Sequence, residues 1–110
     1  MRWSRKMPSA QRGEVWQIDF GLAAKVRPAL VLTPAPADNE LALVTVVLHT
    51  TALRGNPWEI VIPKPFLQKG AFHLQQIQSV SAAKLMRCYG TLTAAEVAQI
   101  ETALRRRLNL

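Results

Sequence analysis

The sequence predicts a mainly β domain in which a small, strongly bent antiparallel sheet packs against one C-terminal helix. Two observations support this fold class. Five or six short apolar segments alternate with turn signals over residues 14–88, and one clear helical pattern follows over residues 93–108. Short strands at regular spacing are typical of all-β sandwiches and barrels, and a helix with one apolar stripe has to bury that stripe against another element. At 110 residues, the chain is long enough for one domain with a modest core.

The first two strands are indicated by their apolar patterns. Residues 14–20 place their large apolar side chains at every second position, which is typical of a half-buried strand. The second strand comprises residues 29–32, four apolar residues that follow Arg27 and Pro28 and are too few for a helix. Because proline disfavours helical backbone for the residue before it, Arg27 is expected to be extended at the strand entrance. The alternative is a surface arginine that caps a strand.

Turns rich in proline, glycine, asparagine and lysine delimit the remaining strands. The third strand is long and apolar, and it stops abruptly at a His-Thr-Thr sequence. The predicted third to sixth strands are residues 41–48, 58–62, 74–80 and 84–88. Residues 1–11 carry small, polar and basic side chains without a periodic pattern, so we predict a basic N-terminal arm there. Because no inter-domain linker appears, we predict that residues 12–110 form a single domain.

The C-terminal helix has both a start signal and an apolar stripe. Thr93 is a good N-cap, and Glu96 three residues later completes a capping box. Apolar residues then recur at helical spacing, namely Val97, Ile100, Leu104 and Leu108. Three arginines at positions 105–107 occupy the last turns, where cations suit the negative end of the helix dipole. We interpret them as a solvated helix end, and a nucleic-acid contact is the alternative.

Charge and cysteine content narrow the function classes. The chain has 14 lysine and arginine residues against 7 acids, a net charge of +7, which favours nucleic acid, an anionic membrane surface or an acidic protein as partner. The single Cys88 cannot form an internal disulfide, so a reducing, cytoplasmic setting is expected. No segment approaches the roughly 20 apolar residues that span a bilayer, and a signal peptide is not indicated. We therefore expect no membrane association.

The sequence carries no signature of a metal or cofactor site. His49 and His73 stand far apart, there is no cysteine pair, and the acids are scattered along the chain. A glycine-rich phosphate loop and a pair of catalytic carboxylates are also missing. Because a metal-dependent nuclease usually needs clustered acids, that class is poorly supported, and we expect neither a metal nor a cofactor.

The residues that remain for chemistry lie at the ends of the second and third strands. If these strands are antiparallel neighbours joined by the turn at residues 33–40, Arg27 and the pair Thr50 and Thr51 share one edge of the sheet. A guanidinium can clamp phosphate oxygens and stabilise charge that builds in a transition state. His49 has a pKa range that suits proton transfer. The structural alternatives are a β-branched pair that ends a strand and a packed or surface histidine.

Six short segments and the closing helix form an ordered series. They are residues 13–20 (GEVWQIDF), 27–32 (RPALVL), 46–51 (VVLHTT), 55–60 (GNPWEI), 75–80 (QQIQSV) and 85–90 (LMRCYG). In this order they resemble the MazF/PemK/Kid family of toxin endoribonucleases. Each motif alone is moderately specific, but the series covers about residues 12–108, nearly the whole chain.

The resemblance implies a toxin of a toxin–antitoxin pair, folded as an SH3-like barrel with a terminal helix and present as a homodimer. Such proteins cut single-stranded RNA without a metal. The ribose 2′-hydroxyl attacks the adjacent phosphate and leaves cyclic phosphate and 5′-hydroxyl ends. A cognate antitoxin with an acidic tail is expected to compete for the RNA groove.

The resemblance also implies roles for individual residues. The family's catalytic arginine and threonine correspond to Arg27 and Thr50, and Thr51 is expected to help position the scissile phosphate. Many relatives carry an aspartate where this chain has a glutamine at position 75, so His49 is the candidate acid–base partner. Further contacts with RNA are expected from basic and amide side chains, namely Lys25, Arg54, Gln75 and Gln76.

Three alternative functions are compatible with the sequence. A gyrase-directed toxin of the related CcdB type shares the fold, but the Arg-Pro and Thr-Thr motifs argue against it. A non-catalytic RNA-binding module would account for the missing aspartate. A protein-interaction barrel fits the fold but leaves the basic excess unexplained. Cleavage of RNA distinguishes the predicted enzyme from all three.

Overall fold

A computed structural model describes residues 9–21 and 25–110 of the chain. In chain order, the elements of these residues are β1 (Glu14–Asp19), β2 (Val26–Val31), β3 (Leu43–Thr50), β4 (Glu59–Ile60), β5 (Ala71–Ser81), a 3₁₀ turn (Ala82–Lys84), β6 (Leu85–Thr91) and α1 (Ala94–Leu108). The strands form one antiparallel sheet in the order β4-β5-β3-β2-β1-β6. The predicted fold class, a mainly β antiparallel sheet with a C-terminal helix, is confirmed.

The strand bounds differ from the predicted ones, and the end of β3 and the length of β4 are the differences that affect the site. β3 extends through His49 and Thr50, which the sequence placed beyond the end of the strand. They stay in the sheet because β5 still pairs with them, as Phe72 lies opposite His49 and Ala71 opposite Thr50. β4 comprises two residues instead of the predicted five, because only Glu59 and Ile60 pair with β5 at the sheet edge.

β5 contains a large bulge where it passes β3. The antiparallel register breaks there, so that Leu48 of β3 faces the four residues 73–76 of β5. Two of these residues bond to the other neighbour of β5: His73 lies opposite Glu59 of β4, and the N–H of Leu74 donates to the carbonyl of Trp58, directly before β4, at 2.8 Å. Extra residues bend a strand and redirect its side chains. The bulge therefore bends the sheet beside the third strand and turns polar side chains of β5 outward.

Buried apolar clusters cover both faces of the sheet. Among the residues of the cluster beneath α1 that have no exposed surface are Leu30, Val47, Phe72 and Ile100. The cluster on the opposite face includes Ile18, Ala29, Val31 and Val46, which are equally buried. Neighbouring residues of β2 contribute to different clusters because strand side chains alternate between faces. The uninterrupted apolar run after Pro28 is therefore a strand buried on both sides, as predicted.

The helix begins as predicted and packs through a shorter stripe than predicted. The hydroxyl of Thr93 accepts the N–H of Glu96 at 3.2 Å, and the Glu96 carboxylate accepts the N–H of Thr93 at 2.8 Å. Ile100 and Ala103 are buried, whereas Leu108 remains 53% exposed. The packed stripe ends in the turn before Leu108, so the last turn of α1 extends beyond the core.

Thr93→Ala is expected to lower the free energy of unfolding by about 1 kcal/mol, because it removes the N-cap acceptor. Thr102→Ala is the matched control, since the exposed Thr102 hydroxyl donates to the carbonyl of Ala98 within the helix. That change is expected to stay within about 0.5 kcal/mol. Urea unfolding of both variants measures the difference. Equal losses in the two variants would contradict a capping role for Thr93.

The N-terminal segment is described only in part. Residues 1–8 of the predicted basic arm lie outside the described residues, as do residues 22–24 of the loop before β2. Ala10, which the sequence assigned to the arm, is 3% exposed and belongs to the cluster around Trp16. The division of the chain at residue 11 remains a prediction. In the described ranges, no helix has the length and apolar character to cross a membrane.

Candidate functional site

Arg27 and Thr50 lie across from each other on neighbouring strands. β2 pairs with β3 so that Ala29 lies opposite Leu48, and the same register continued by two residues brings Arg27 opposite Thr50. Both residues border one groove with a volume of about 660 Å³. The expectation that the second and third strands are antiparallel neighbours is confirmed. An arginine and a threonine are thereby held by two rigid strands rather than by loops.

Local contacts orient the hydroxyl of Thr50. The residue is 8% exposed, and its Oγ1 accepts the N–H of Ala52 at 3.0 Å. Because that bond uses an oxygen lone pair, the hydroxyl proton is left to donate toward the groove. Gly70 allows the close approach of β5 here, since a Cβ at this position would overlap the carbonyl oxygen of Thr50. The position of Thr50 thus depends on the glycine directly before β5.

Polar side chains from two other segments line the rest of the groove. Gln75 and Gln76 come from the bulge of β5, and Arg54 comes from the loop after β3. Asn56 Nδ2 donates to Gln75 Oε1 at 3.4 Å, which connects this loop to the bulge. Arg54, Gln75 and Gln76 were predicted as substrate contacts, and all three border the groove that holds the arginine–threonine pair. Gln78 also lines it.

His49 and Thr51 line a different cavity from Thr50. Successive residues of extended backbone project to opposite faces, and these two residues border a second cavity of about 360 Å³. Tyr89 of β6 also lines this cavity, and Arg27 borders both cavities. The structure therefore separates Thr51 and His49 from the Thr50 groove, and Arg27 is the residue that connects the two spaces.

Lys25 borders neither of these two cavities. It lies in the turn before β2, where its N–H donates to the Gly21 carbonyl at 2.7 Å and its carbonyl accepts the N–H of Phe20 at 2.9 Å. Its φ of 58° is in the left-handed region, which residues other than glycine adopt rarely. Of the residues predicted to bind substrate, Lys25 and Thr51 lie outside the groove, and Thr51 lines the second cavity instead.

His73 also borders the groove, although the sequence analysis assigned it no role there. The residue is 7% exposed, its Nδ1 accepts the backbone N–H of Gln75 at 3.2 Å, and its Nε2 lies 3.8 Å from Glu59 Oε2. His73 therefore holds the bulge from inside. Strand periodicity could not reveal this role, because the bulge arises from the pairing of β5 with strands on both of its sides.

Two titratable groups near the groove have shifted pKa values. Burial lowers the pKa of His49, and its ring packs edge-on against Phe72 with the ring centres 5.0 Å apart. The pKa of Glu59 is also lowered, chiefly because its carboxylate accepts the backbone N–H of Arg54, and also because it accepts that of Gly55, at 2.6 and 2.8 Å. At neutral pH, His49 is thus uncharged and Glu59 is ionised, so Glu59 holds the loop after β3.

The free energy of unfolding is expected to fall as the pH is lowered from neutral through 6.5, in part through His49. The folded pKa of His49 lies below 6.5, so the unfolded chain binds the proton more readily and acid favours unfolding. The contribution of His49 is complete above pH 6.5 and is lost as the pH falls toward the folded pKa. Urea unfolding across this range should show a weaker pH dependence for His49→Gln. An unchanged dependence would contradict a neutral buried imidazole.

The groove has the chemistry of a phosphate-binding site. A guanidinium on one strand and a hydroxyl donor on the next can hold one phosphate between them, and the neighbouring amides can bind sugar or base atoms. Among the described residues, no three His, Cys, Asp or Glu side chains lie together in a group that could hold a metal ion. The polar lining of the groove consists of Arg, Thr, His and amide side chains.

Solved structures with the same fold are MazF toxins and related endoribonucleases. An endoribonuclease from a mycobacterial species is 24% identical with a TM-score of 0.77, and the match covers 96% of this chain and 97% of that one. MazF from Deinococcus radiodurans is 20% identical with a TM-score of 0.78, over 94% and 99% of the two chains. An endoribonuclease solved with its cognate antitoxin, also mycobacterial, is 24% identical with a TM-score of 0.76, over 94% and 97%. The fold is thus that of the MazF toxins.

The family follows from the sequence match. Residues 11–108 match the family described as PemK-like, MazF-like toxin of type II toxin–antitoxin system. The probable endoribonuclease MazF5 of Mycobacterium tuberculosis is 33% identical over 96 residues, which cover 84% of this chain and 87% of that protein. Endoribonuclease MazF9 of the same organism is 30% identical over 114 aligned positions, 91% and 97% of the two chains. The chain belongs to the PemK-like, MazF-like toxin family, and the predicted resemblance is confirmed.

Proposed function

We propose that this chain is an endoribonuclease toxin that cleaves single-stranded RNA by attack of a ribose 2′-hydroxyl on the adjacent phosphate. The products are a 2′,3′-cyclic phosphate end, which can open to a 3′-phosphate, and a 5′-hydroxyl end. The observation that best supports this function is the pairing of Arg27 with Thr50 at one groove, in a chain that belongs to the MazF-like toxin family. Because the nucleophile is part of the substrate, the reaction needs no metal-activated water.

Arg27 and Thr50 bind the scissile phosphate. The guanidinium presents its donors in a planar fork that matches two phosphate oxygens, and its charge stabilises the negative charge that builds as the fifth bond to phosphorus forms. The hydroxyl of Thr50, with its proton left to donate, holds another oxygen. Since the two residues stand on paired strands, the phosphate is held in one orientation relative to the sheet.

His49 accepts the proton of the 2′-hydroxyl, and the departing 5′-oxygen takes its proton from water. Burial keeps its imidazole neutral at neutral pH, so it can act as a base. It meets the substrate in the second cavity, which Arg27 also borders. The RNA backbone accordingly passes over Arg27, so that the nucleotides on one side of the scissile phosphate lie in the groove and those on the other side lie in the second cavity. Thr51 contacts the RNA in the second cavity.

The rest of the groove holds the RNA on either side of the scissile bond. Arg54 contacts the backbone, and Gln75 and Gln76 hydrogen-bond to sugar or base edges. Lys25, which lies outside the groove, contributes only longer-range attraction for the polyanion. Since DNA lacks the 2′-hydroxyl nucleophile, the same site leaves DNA uncut.

Two protein partners belong to this proposal. An acidic segment of a cognate antitoxin occupies the groove and competes with RNA, because Arg27 and Arg54 attract carboxylates as they attract phosphates. The relative solved with its cognate antitoxin supports this partner class. The chain also forms a homodimer, which is supported by apolar side chains that remain exposed near both sheet edges, Val61 at 59% and Met86 at 53%.

Incubation with single-stranded RNA in excess EDTA tests the proposed function. We expect cleavage that leaves cyclic phosphate and 5′-hydroxyl ends, and no cleavage of the same RNA carrying 2′-O-methyl groups. Binding without cleavage would replace the enzyme with a non-catalytic RNA-binding module. Cleavage that stops in EDTA would overturn the metal-independent mechanism. Size-exclusion chromatography with light scattering tests the homodimer.

A further inference from the structure

A cluster of two arginines on a tryptophan ring lies at the end of the loop that borders the groove. The guanidinium carbons of Arg106 and Arg107 lie 5.6 and 5.2 Å from the centre of the Trp58 ring. Cation–π contacts at these distances favour one location for a long side chain. The two charges at the exposed end of α1 are therefore held at a fixed place, which we call the Trp58–arginine cluster.

The loop of residues 54–58 connects this cluster to the groove. Arg54 borders the groove at one end of the loop, Asn56 contacts Gln75 in the middle, and Trp58 stands at the other end. Glu59 holds the loop by accepting two of its backbone N–H groups. Even fully extended, the loop separates the Cα atoms of Arg54 and Trp58 by at most about 14 Å. The cluster is therefore within a few nucleotides of an RNA strand that lies in the groove.

The acids of α1 and the acid that follows Trp58 have other partners. Glu96 pairs with Lys64 at 3.0 Å and caps the helix, Glu101 pairs with Arg12, and Glu59 binds the loop backbone. None of the ion pairs formed within residues 9–21 and 25–110 involves Arg106 or Arg107. The cluster thus carries two positive charges without an acidic counterpart, which favours a polyanion as its ligand.

We infer that the Trp58–arginine cluster binds backbone phosphates of the RNA substrate outside the cleavage groove. This inference rests on the proposed function, because it requires RNA in the groove beside Arg54. RNA is favoured over an acidic polypeptide because the cluster lies at the end of a loop whose Arg54 borders the groove, and because a guanidinium over a ring keeps its donor fork for a phosphate. Long RNA therefore binds through the groove and the cluster, whereas short RNA binds through the groove alone.

Salt dependence of RNA binding tests the inference. The probes are 2′-O-methyl RNAs of mixed sequence, of about 5 and about 16 nucleotides, which bracket the site sizes of small single-strand-binding barrels and cannot be cut. In the double variant Arg106→Gln/Arg107→Gln, the slope of log K against log salt for the long RNA is expected to decrease by about 1.4, since each phosphate contact on a single strand contributes about 0.7. The slope for the short RNA is expected to stay unchanged.

Arg105→Gln is the matched control, because it removes the same charge from the same helix end without a contact to Trp58. It is expected to keep the wild-type slope with both RNAs. An unchanged slope in the double variant would overturn the inference, and weaker binding of poly-glutamate by that variant would assign the cluster to an acidic polypeptide instead. Cleavage of unmodified short RNA is measured in parallel. If that cleavage is absent, the proposed function fails. If the short RNA is cleaved and the slope of the double variant is unchanged, the proposed function stands and only RNA binding by the Trp58–arginine cluster is refuted.

Discussion

Arg27→Ala is expected to reduce the rate of RNA cleavage by about 10²- to 10³-fold, the usual effect of removing one donor that stabilises transition-state charge. The loss should appear in kcat more than in KM, because Arg54 and the glutamine side chains of the groove still bind the substrate in its ground state. Single-turnover cleavage of a labelled RNA in EDTA measures the chemical step directly.

Two further variants show whether the geometry of Arg27 or its charge matters. Arg27→Lys keeps the positive charge but loses the planar fork, so it should recover only part of the rate. Lys84→Ala removes one charge from the exposed 3₁₀ turn, outside the groove, and should cleave at the wild-type rate. Wild-type cleavage by Arg27→Ala, with an unchanged melting temperature, would exclude Arg27 from catalysis.

Phe72→Ala is expected to lower the free energy of unfolding by about 3–5 kcal/mol, the range measured for large-to-small changes in protein cores. Phe72 has no exposed surface, and β5 places it between His49 of β3 and Ile60 of β4. A cavity here removes contacts within the core cluster beneath α1. Since a domain is stable by only about 5–15 kcal/mol, this change removes a large part of the total.

Urea unfolding with a constant m-value measures the effect of Phe72→Ala as a change in midpoint. Phe72→Leu keeps most of the side-chain volume and should cost clearly less, because the cavity is smaller. Equal destabilisation by the two changes would show that the aromatic edge contact with His49, rather than the filled volume, stabilises this part of the core.

Local sequence patterns predicted the elements of this fold, and non-local pairing determined where some of them end. Thr93 and Glu96 specify the start of the helix by themselves, so the capping box could be predicted residue by residue. The end of β3 could not, because His49 and Thr50 are polar in sequence and belong to the strand only through their partners in β5.

The same distinction applies to the candidate site. Arg27 and Thr50 could be brought together from sequence because they lie on consecutive antiparallel strands, whose pairing follows from a short connection. His49 and Thr51 were grouped with Thr50 because the strand was expected to end before them, where alternation no longer applies. His73 was missed because its place depends on a bulge, and strand periodicity assumes an unbroken register.

The bulge in β5 determines where the groove can accept insertions and deletions. A one-residue insertion in a regular strand reverses every side chain beyond it, which would destroy a core with two covered faces. Gln75 and Gln76 have no partner residue in the register of β3 or β4, so a change in their number is absorbed before pairing resumes at Ile77. Insertions and deletions at these two positions can therefore reshape the groove, and with it the RNA sequence that fits, while the sheet keeps its register.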